Sequence, residues 1–216
     1  MNGFILKEII SPITKAASEE NSSSSLMHYS FTLNGRDIIL GWEVGSFCQV
    51  NLEQNTSMLE TVLNFAAPKP EDNILDLYCG MGNFSISLAS ACKSVTGYEG
   101  QGAAIRAAKN NAEINQVSNT FYYKKPVHKA CEELVGNNRK FDITIIDPPR
   151  QGAPDLAKQL ANLTGKKLVY ISCDPATLCR DLGELIQQGF TVKKIQPIDM
   201  FPQTHHIETV VLLCKT

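Results

Sequence analysis

The 216-residue sequence predicts a doubly wound α/β fold: a mostly parallel, seven-stranded sheet with an antiparallel last strand. Three observations carry this. From Asn73 onward, short apolar runs alternate with amphipathic stretches, the rhythm of repeated β–α units. Runs such as Ile143-Thr144-Ile145-Ile146 are apolar on both faces, as in strands covered by helices on both sides. The last two strands have no helix between them, so the final one is expected to run antiparallel.

Taken in order, the segment up to residue 26 ends in Ser22-Ser23-Ser24-Ser25, the composition of a flexible linker. Asn34-Gly35 lies between Tyr29-Ser30-Phe31-Thr32-Leu33 and Asp37-Ile38-Ile39-Leu40 and reads as a β-hairpin turn, because this pair accepts the positive φ of a two-residue loop. Residues 54–66 show helical apolar spacing and stop before Pro68. Strands are expected at 73–77, 94–98, 120–123, 142–146, 167–172, 191–198 and 209–213, and helices at 83–91, 101–115, 128–135, 154–162 and 175–188. No internal repeat is visible.

Composition narrows the function classes. Hydrophobic residues are 43% and charged residues 19%, enough for a sizeable core. No apolar run approaches the ~20 residues that span a bilayer, and residues 1–10 lack a signal-peptide layout. The seven cysteines are odd in number and form no C-x-x-C pair. That argues against a disulfide scaffold and against a zinc or iron–sulfur site, and reduced thiols point to the cytoplasm. The net charge of −2 argues against autonomous tight binding of nucleic acid.

Candidate site residues fall where strands end, which is where open α/β sheets form their crevice. Asp76-Leu77-Tyr78-Cys79-Gly80-Met81-Gly82-Asn83-Phe84 follows a strand and opens a helix. Its glycines let the backbone approach a ligand at a helix N-terminus. Ser85 stands where a dinucleotide fingerprint wants Gly or Ala, which weakens a pyrophosphate reading. Glu99, about 20 residues after Gly80, is placed to hold ribose hydroxyls. A tight turn in a nucleotide-free protein remains the alternative, and Tyr78 is either core or a ring packed on the ligand.

Asp147-Pro148-Pro149-Arg150 ends the fourth strand in a loop stiffened by two prolines. Alone it reads equally as a rigid loop with a solvated arginine. Ser172-Cys173-Asp174-Pro175 ends the fifth, with Asp174 as N-cap and proline in the first turn. Cys173 beside a helix N-terminus is in a setting that favours the thiolate, the form a nucleophile needs; the alternative is a buried structural thiol. Glu208 precedes the last strand and can reach the same crevice as a candidate general base. His205 and His206 read as solvated loop residues rather than ligands.

Together with Phe47-Cys48-Gln49-Val50-Asn51, with the run Ser172 to Leu178 and with His206-Ile207-Glu208, these motifs resemble the catalytic domain of the RNA (uracil-5-)-methyltransferase family, which acts on tRNA or ribosomal RNA. The resemblance runs from about Phe47 to the C-terminus. It implies a Rossmann-like domain over 47–216, with 1–46 as linker and hairpin left from a longer N-terminal region. It implies S-adenosylmethionine as cofactor, bound by Gln49, Tyr78, Gly80, Asn83, Glu99 and Asp147; the cysteine pattern leaves this chain without metal or iron–sulfur cluster. Cys173 is then the nucleophile, Glu208 the base, and Phe47 and Arg150 contact the substrate. The implied partner is tRNA or rRNA, bound weakly by this chain alone, with a partner or a missing N-terminal domain supplying RNA contacts. Lys124-Lys125-Pro126 stands where the family has Asp or Asn near the adenine, so adenine is expected to be held differently. Two other readings remain: an amino-group methyltransferase using the acid-Pro-Pro loop, and a catalytically weak, truncated cofactor-binding module. Arg150 in place of a stacking aromatic, and the well-placed thiol, count against the first.

Overall fold

The computed structural model describes residues 26–200, 203 and 207–215. The expected linker with Ser22 to Ser25, and His205 and His206, lie outside these residues. Strands β1 (Leu26–Leu33) and β2 (Arg36–Glu43) pair antiparallel around Asn34 (φ 50°) and Gly35 (φ 76°), the two positive φ values the turn needs. Helix α1 (Leu52–Ala66) follows. It starts two residues earlier than its apolar pattern, because the Asn51 side chain caps it by accepting from Gln54 N (3.2 Å). It ends at Ala67 in the left-handed conformation, just before Pro68.

The rest alternates as expected: β3 (Asn73–Leu77), α2 (Asn83–Ala89), β4 (Ser94–Glu99), α3 (Gly102–Ile114), β5 (Thr120–Lys124), α4 (Val127–Gly136), β6 (Phe141–Ile146), α5 (Ala157–Leu163), β7 (Thr164–Ser172), α6 (Pro175–Gln187), β8 (Phe190–Ile198) and β9 (Glu208–Lys215). Helix α5 begins three residues later than expected. Asp155 is left-handed (φ 63°), which no right-handed helix contains. The seven strands run in the order β5-β4-β3-β6-β7-β9-β8. β9 is antiparallel to both β7 and β8, so the last strand in sequence inserts between its two predecessors.

The pleat sorts side chains to two cores. Ile74, Val95, Ile143, Ile145, Val169, Ile171, Val210 and Leu212 face one layer, with residues of α1, α2 and α3. Leu75, Leu77, Leu168, Tyr170, Val211 and Leu213 face the other, with α4, α5 and α6. The hairpin joins the first core through Leu33, Ile38 and Leu40.

The hairpin is tied to the end of α3 by amides. Asn111 Oδ1 accepts from Gly41 N (2.7 Å) and its Nδ2 donates to Gly41 O (3.0 Å); Asn115 does the same to Ile39 N (2.9 Å) and Ile39 O (2.6 Å). Asn111 Nδ2 also donates to Met81 O (2.9 Å), in the glycine loop. Strand order reverses at β3, whose neighbours β4 and β6 lead in opposite directions, and this is where an open sheet leaves a crevice.

Candidate active site

A cleft of about 1190 Å³ opens at the carboxyl edge of the parallel strands. Sites for drug-sized ligands run roughly 300–1,000 Å³, so this one has room for a cofactor and part of a second ligand. All ten residues singled out from the sequence line it. Phe47 and Gln49 come from the loop between β2 and α1, Tyr78 and Gly80 from the turn after β3, and Asn83 from the start of α2. Glu99 ends β4, Asp147 and Arg150 follow β6, Cys173 follows β7, and Glu208 opens β9.

The turn after β3 is shaped for close approach. Tyr78 (φ 60°), Gly80 (φ 53°) and Gly82 (φ 87°) are all left-handed. A non-glycine residue held there stores strain, a common property of ligand-holding turns. A Cβ on Gly82 would stand 2.8 Å from Tyr122 Oη, whereas one on Gly80 would meet nothing within 4 Å. Gly82 therefore serves packing, and Gly80 leaves backbone open. Asn83 is held by a reciprocal amide pair with Asn55 of α1, Asn55 Nδ2 donating at 3.1 Å and Asn83 Nδ2 at 2.9 Å. One Glu99 carboxylate oxygen accepts from Gln101 N (2.8 Å), which fixes the head at the cleft rim. Below the turn, Asp76 is fully buried with Oδ1 unpaired, while Oδ2 accepts from Ser85. Burial pushes its pKa up to about 7, Ser85 opposes this, and Glu99 adds to it. A carboxylate-rich wall with open backbone at Gly80 fits a cationic, hydroxyl-bearing ligand.

The chemical end lies across β7 and β9. Ser172 pairs with Thr209, so continuing the antiparallel register sets Cys173 opposite Glu208. The Cys173 thiol is raised above its ordinary range, first by burial and then by Glu208; the Arg150 guanidinium beside it pulls it down, and Asp147 adds a smaller upward push. The helix N-terminus does not decide the balance as the sequence reading expects. Its first donors, Ala176 N and Thr177 N, are already taken by Asp174 Oδ1 at 2.9 and 3.0 Å, and Asp174 brings a negative charge of its own. Burial also raises Glu208, against Arg150, and raises Asp147 strongly, helped by Glu208 and Asp76. The thiol, the guanidinium and the two carboxyls thus form one coupled group.

Pro126, Val127 and His128 line the cleft as well, though the sequence did not single out Val127 or His128. His128 Nε2 hydrogen-bonds with Pro154 O (3.0 Å) and bridges α4 to the loop after β6. Lys125 N donates to Glu99 O (2.9 Å), while its side chain pairs with Glu133 and so is turned to α4. Among the described residues, no group of three His, Cys, Asp or Glu is arranged to hold a metal. No helix among them is long and apolar enough to cross a membrane.

Comparison with known proteins places these features in a family. A family model described as tRNA (Uracil-5-)-methyltransferase matches residues 23–216. The chain is 38% identical over 182 residues to a 23S rRNA (uracil(1939)-C(5))-methyltransferase RlmD of Pseudomonas aeruginosa, covering 84% of this chain and 40% of the relative. It is 39% identical over 180 residues to the protein of that name from Photobacterium angustum, covering 83% and 82%. The chain thus spans well under half the length of the first of these relatives. The Pyrococcus abyssi tRNA (uracil-54, C5)-methyltransferase, solved in complex with S-adenosyl-L-homocysteine, superposes with a TM-score of 0.70 at 33% identity, over 86% of this chain and 44% of that one. A Thermus thermophilus 16S rRNA N2 G1207 methyltransferase gives 0.62 at 18% identity, over 88% and 50%. At that identity the likeness is one of fold.

Proposed function

Because this chain belongs to the tRNA (uracil-5-)-methyltransferase family, we propose that it transfers a methyl group from S-adenosylmethionine to C5 of a uridine in tRNA or rRNA. The observation that carries the reading is the convergence of Cys173, Arg150 and Glu208 beside an acidic, glycine-lined half of the same cleft. When bound, the cofactor supplies an electrophilic methyl group on a positively charged sulfur. Glu99 would hold its ribose hydroxyls, with Gln49, Tyr78, Asn83 and Asp147 around it.

C5 of uracil is a poor nucleophile, and Cys173 changes that. Its thiolate adds to C6, and the C5–C6 electron pair moves out towards O4 as an enolate, which makes C5 nucleophilic enough to take the methyl group. Glu208 then accepts the C5 proton. The electrons of the broken C5–H bond re-form the C5–C6 double bond, and the C6–S bond breaks to return the thiolate. Arg150 at the sulfur stabilises the anion at both ends of the cycle. The base must leave its stack for this, and Phe47, 77% exposed at the cleft mouth, offers a stacking face.

The net charge of −2 supports weak RNA binding by this chain alone, with a dissociation constant no tighter than ~10⁻⁶ M at near-physiological salt. A partner or a further RNA-binding part would supply the remaining contacts. The cytoplasm, where RNA and reduced thiols coexist, suits this activity. The test is incubation with labelled S-adenosylmethionine and total RNA lacking 5-methyluridine, followed by nucleoside analysis. Label in 5-methyluridine is expected; label in a methylated amino group would overturn the reading in favour of N-methylation.

A further inference from the structure

The loop after β6 and the turn after β7 are locked together by the polar face of α6. Asp181 of α6 is only 3% exposed. Its Oδ2 accepts from Tyr170 Oη (2.5 Å) and from Ala153 N (2.7 Å), and its Oδ1 from Arg180 Nε (2.8 Å). Arg180 also donates to Gln151 O (2.7 Å), and Thr177 Oγ1 donates to Arg150 O (3.0 Å). Gly152, left-handed at φ 74°, packs so close that a Cβ there would stand 2.4 Å from Asp181 Oδ2. Every residue from 150 to 153 is therefore held by α6, the helix whose N-terminus follows Cys173. A buried carboxylate costs several kcal/mol unless it is fully paired. Here its acceptor capacity goes to this loop, to Arg180, which also holds the loop, and to one tyrosine.

We propose that Asp181 is a positioning residue for Cys173: by clamping residues 150–153 to α6 it fixes the Arg150 guanidinium against the sulfur. The role in catalysis rests on the reading of Cys173 as nucleophile. The clamp itself is measured on the thiol, without RNA or cofactor. The charged and titratable groups that face Cys173 are Arg150 and Asp147 from the loop after β6 and Glu208 from β9. Those around Asp181 are Tyr170 on β7, Arg180 on α6 and Tyr78 after β3. The sign of the effect separates positioning from simple electrostatics. Deleting the negative charge of Asp181 would by itself make a nearby thiolate easier to form. Letting Arg150 drift from the sulfur makes it harder.

The experiment follows alkylation of Cys173 by iodoacetamide across pH in the intact protein, quantified on the Cys173 peptide by mass spectrometry. Asp181→Asn is expected to slow the reaction at pH 8 about three- to tenfold, an upward shift of roughly half to one pH unit. Thr177→Val, which removes the bond to Arg150 O (3.0 Å) and the longer ones to Asp174 O (3.2 Å) and Oδ1 (3.4 Å) while leaving Asp181 intact, shifts it the same way. Arg150→Ala shifts it at least as far, and adding Asp181→Asn to it gives nothing further. Tyr170→Phe removes a bond to the same carboxylate but leaves Asp181's own bonds to Ala153 N and Arg180 in place; it keeps the wild-type midpoint even where its thermal midpoint falls. The proposal is overturned if Asp181→Asn and Thr177→Val leave the midpoint unchanged or lower it. It is equally overturned if Tyr170→Phe moves it as far as Asp181→Asn, or if the double variant exceeds Arg150→Ala. Should Asp181→Asn fail to fold, Thr177→Val decides. If these shifts appear while the wild type forms no 5-methyluridine, the clamp stands and the proposed function falls.

Discussion

Replacing Glu208 with glutamine sets two effects of opposite sign against each other at one sulfur. After burial, Glu208 is the largest cause that raises the Cys173 thiol. Neutralising it removes a carboxylate that opposes thiolate formation. A nearby like charge disfavours the charged form, so thiolate at neutral pH is expected to rise. Addition to C6 is therefore not slowed. Removal of the C5 proton, in contrast, loses its base, and a positioned general base contributes about 10²–10⁴-fold. Release of 5-methyluridine is expected to fall by at least ~100-fold while the covalent intermediate accumulates. The assay is denaturing gel electrophoresis of enzyme mixed with RNA and methyl-labelled cofactor. Glu208→Gln gives a shifted, labelled band; Cys173→Ala gives none; Cys179→Ala, altering an exposed thiol on α6, leaves the band intact. A Glu208→Gln variant that still alkylates at Cys173 yet traps no RNA refutes this reasoning, as does 5-methyluridine made by Cys173→Ala.

Three further outcomes are expected. Glu99→Ala loses charge-assisted hydrogen bonds worth ~1.5–3 kcal/mol, so calorimetry should read cofactor binding weakened at least roughly tenfold; unchanged affinity would remove Glu99 from the site. Asn111→Ala strips partners from Gly41 N, Gly41 O and Met81 O, and urea unfolding should show a loss of about 3 kcal/mol. The cofactor-free protein should also lose stability as pH rises. Asp76 titrates at about 7 when folded against an ordinary 3.8, so between these values the folded state binds more protons than the unfolded one. That contribution is present below about pH 4 and lost as pH passes 7, with Asp147 and Glu208 raised in the same sense. A thermal midpoint at least ~3 °C lower at pH 8 than at pH 5.5 is expected, and a rise across that interval would contradict it.

Much of the site was legible because it needs only strand ends. Gly80, Glu99, Asp147 and Cys173 follow apolar runs, and parallel strands deliver their carboxyl ends to one edge whatever the order between them. The hairpin was legible because Asn34-Gly35 fixes it within a few residues. Pairings across the sheet were not. The insertion of β9 between β7 and β8 is decided by packing distant in sequence, and it sets Glu208 against Cys173. Burial and that neighbour raise the Cys173 thiol against Arg150, so the local motif alone gave the wrong sign. Asn55, Asn111 and Asp181 escaped notice for another reason. Apolar periodicity marks buried faces by hydrophobic residues, and a polar side chain on such a face reads as surface until its partners are seen.

The two amides that fasten the hairpin also act as a ruler. Four residues along a helix rise about 6.0 Å, and two residues along a strand advance about 6.7 Å, so Asn111 and Asn115 meet Gly41 and Ile39 nearly rung for rung. A slip of β2 by one residue would present backbone groups facing the wrong way, and a slip by two would carry the following chain about 6.7 Å along its path. Gly41 leaves room at its rung for the His28 ring, which a Cβ there would meet at 2.7 Å. Gln49 and Phe47 lie a few residues downstream, so the reach of both into the cleft is gauged by a helix on the far side of the hairpin.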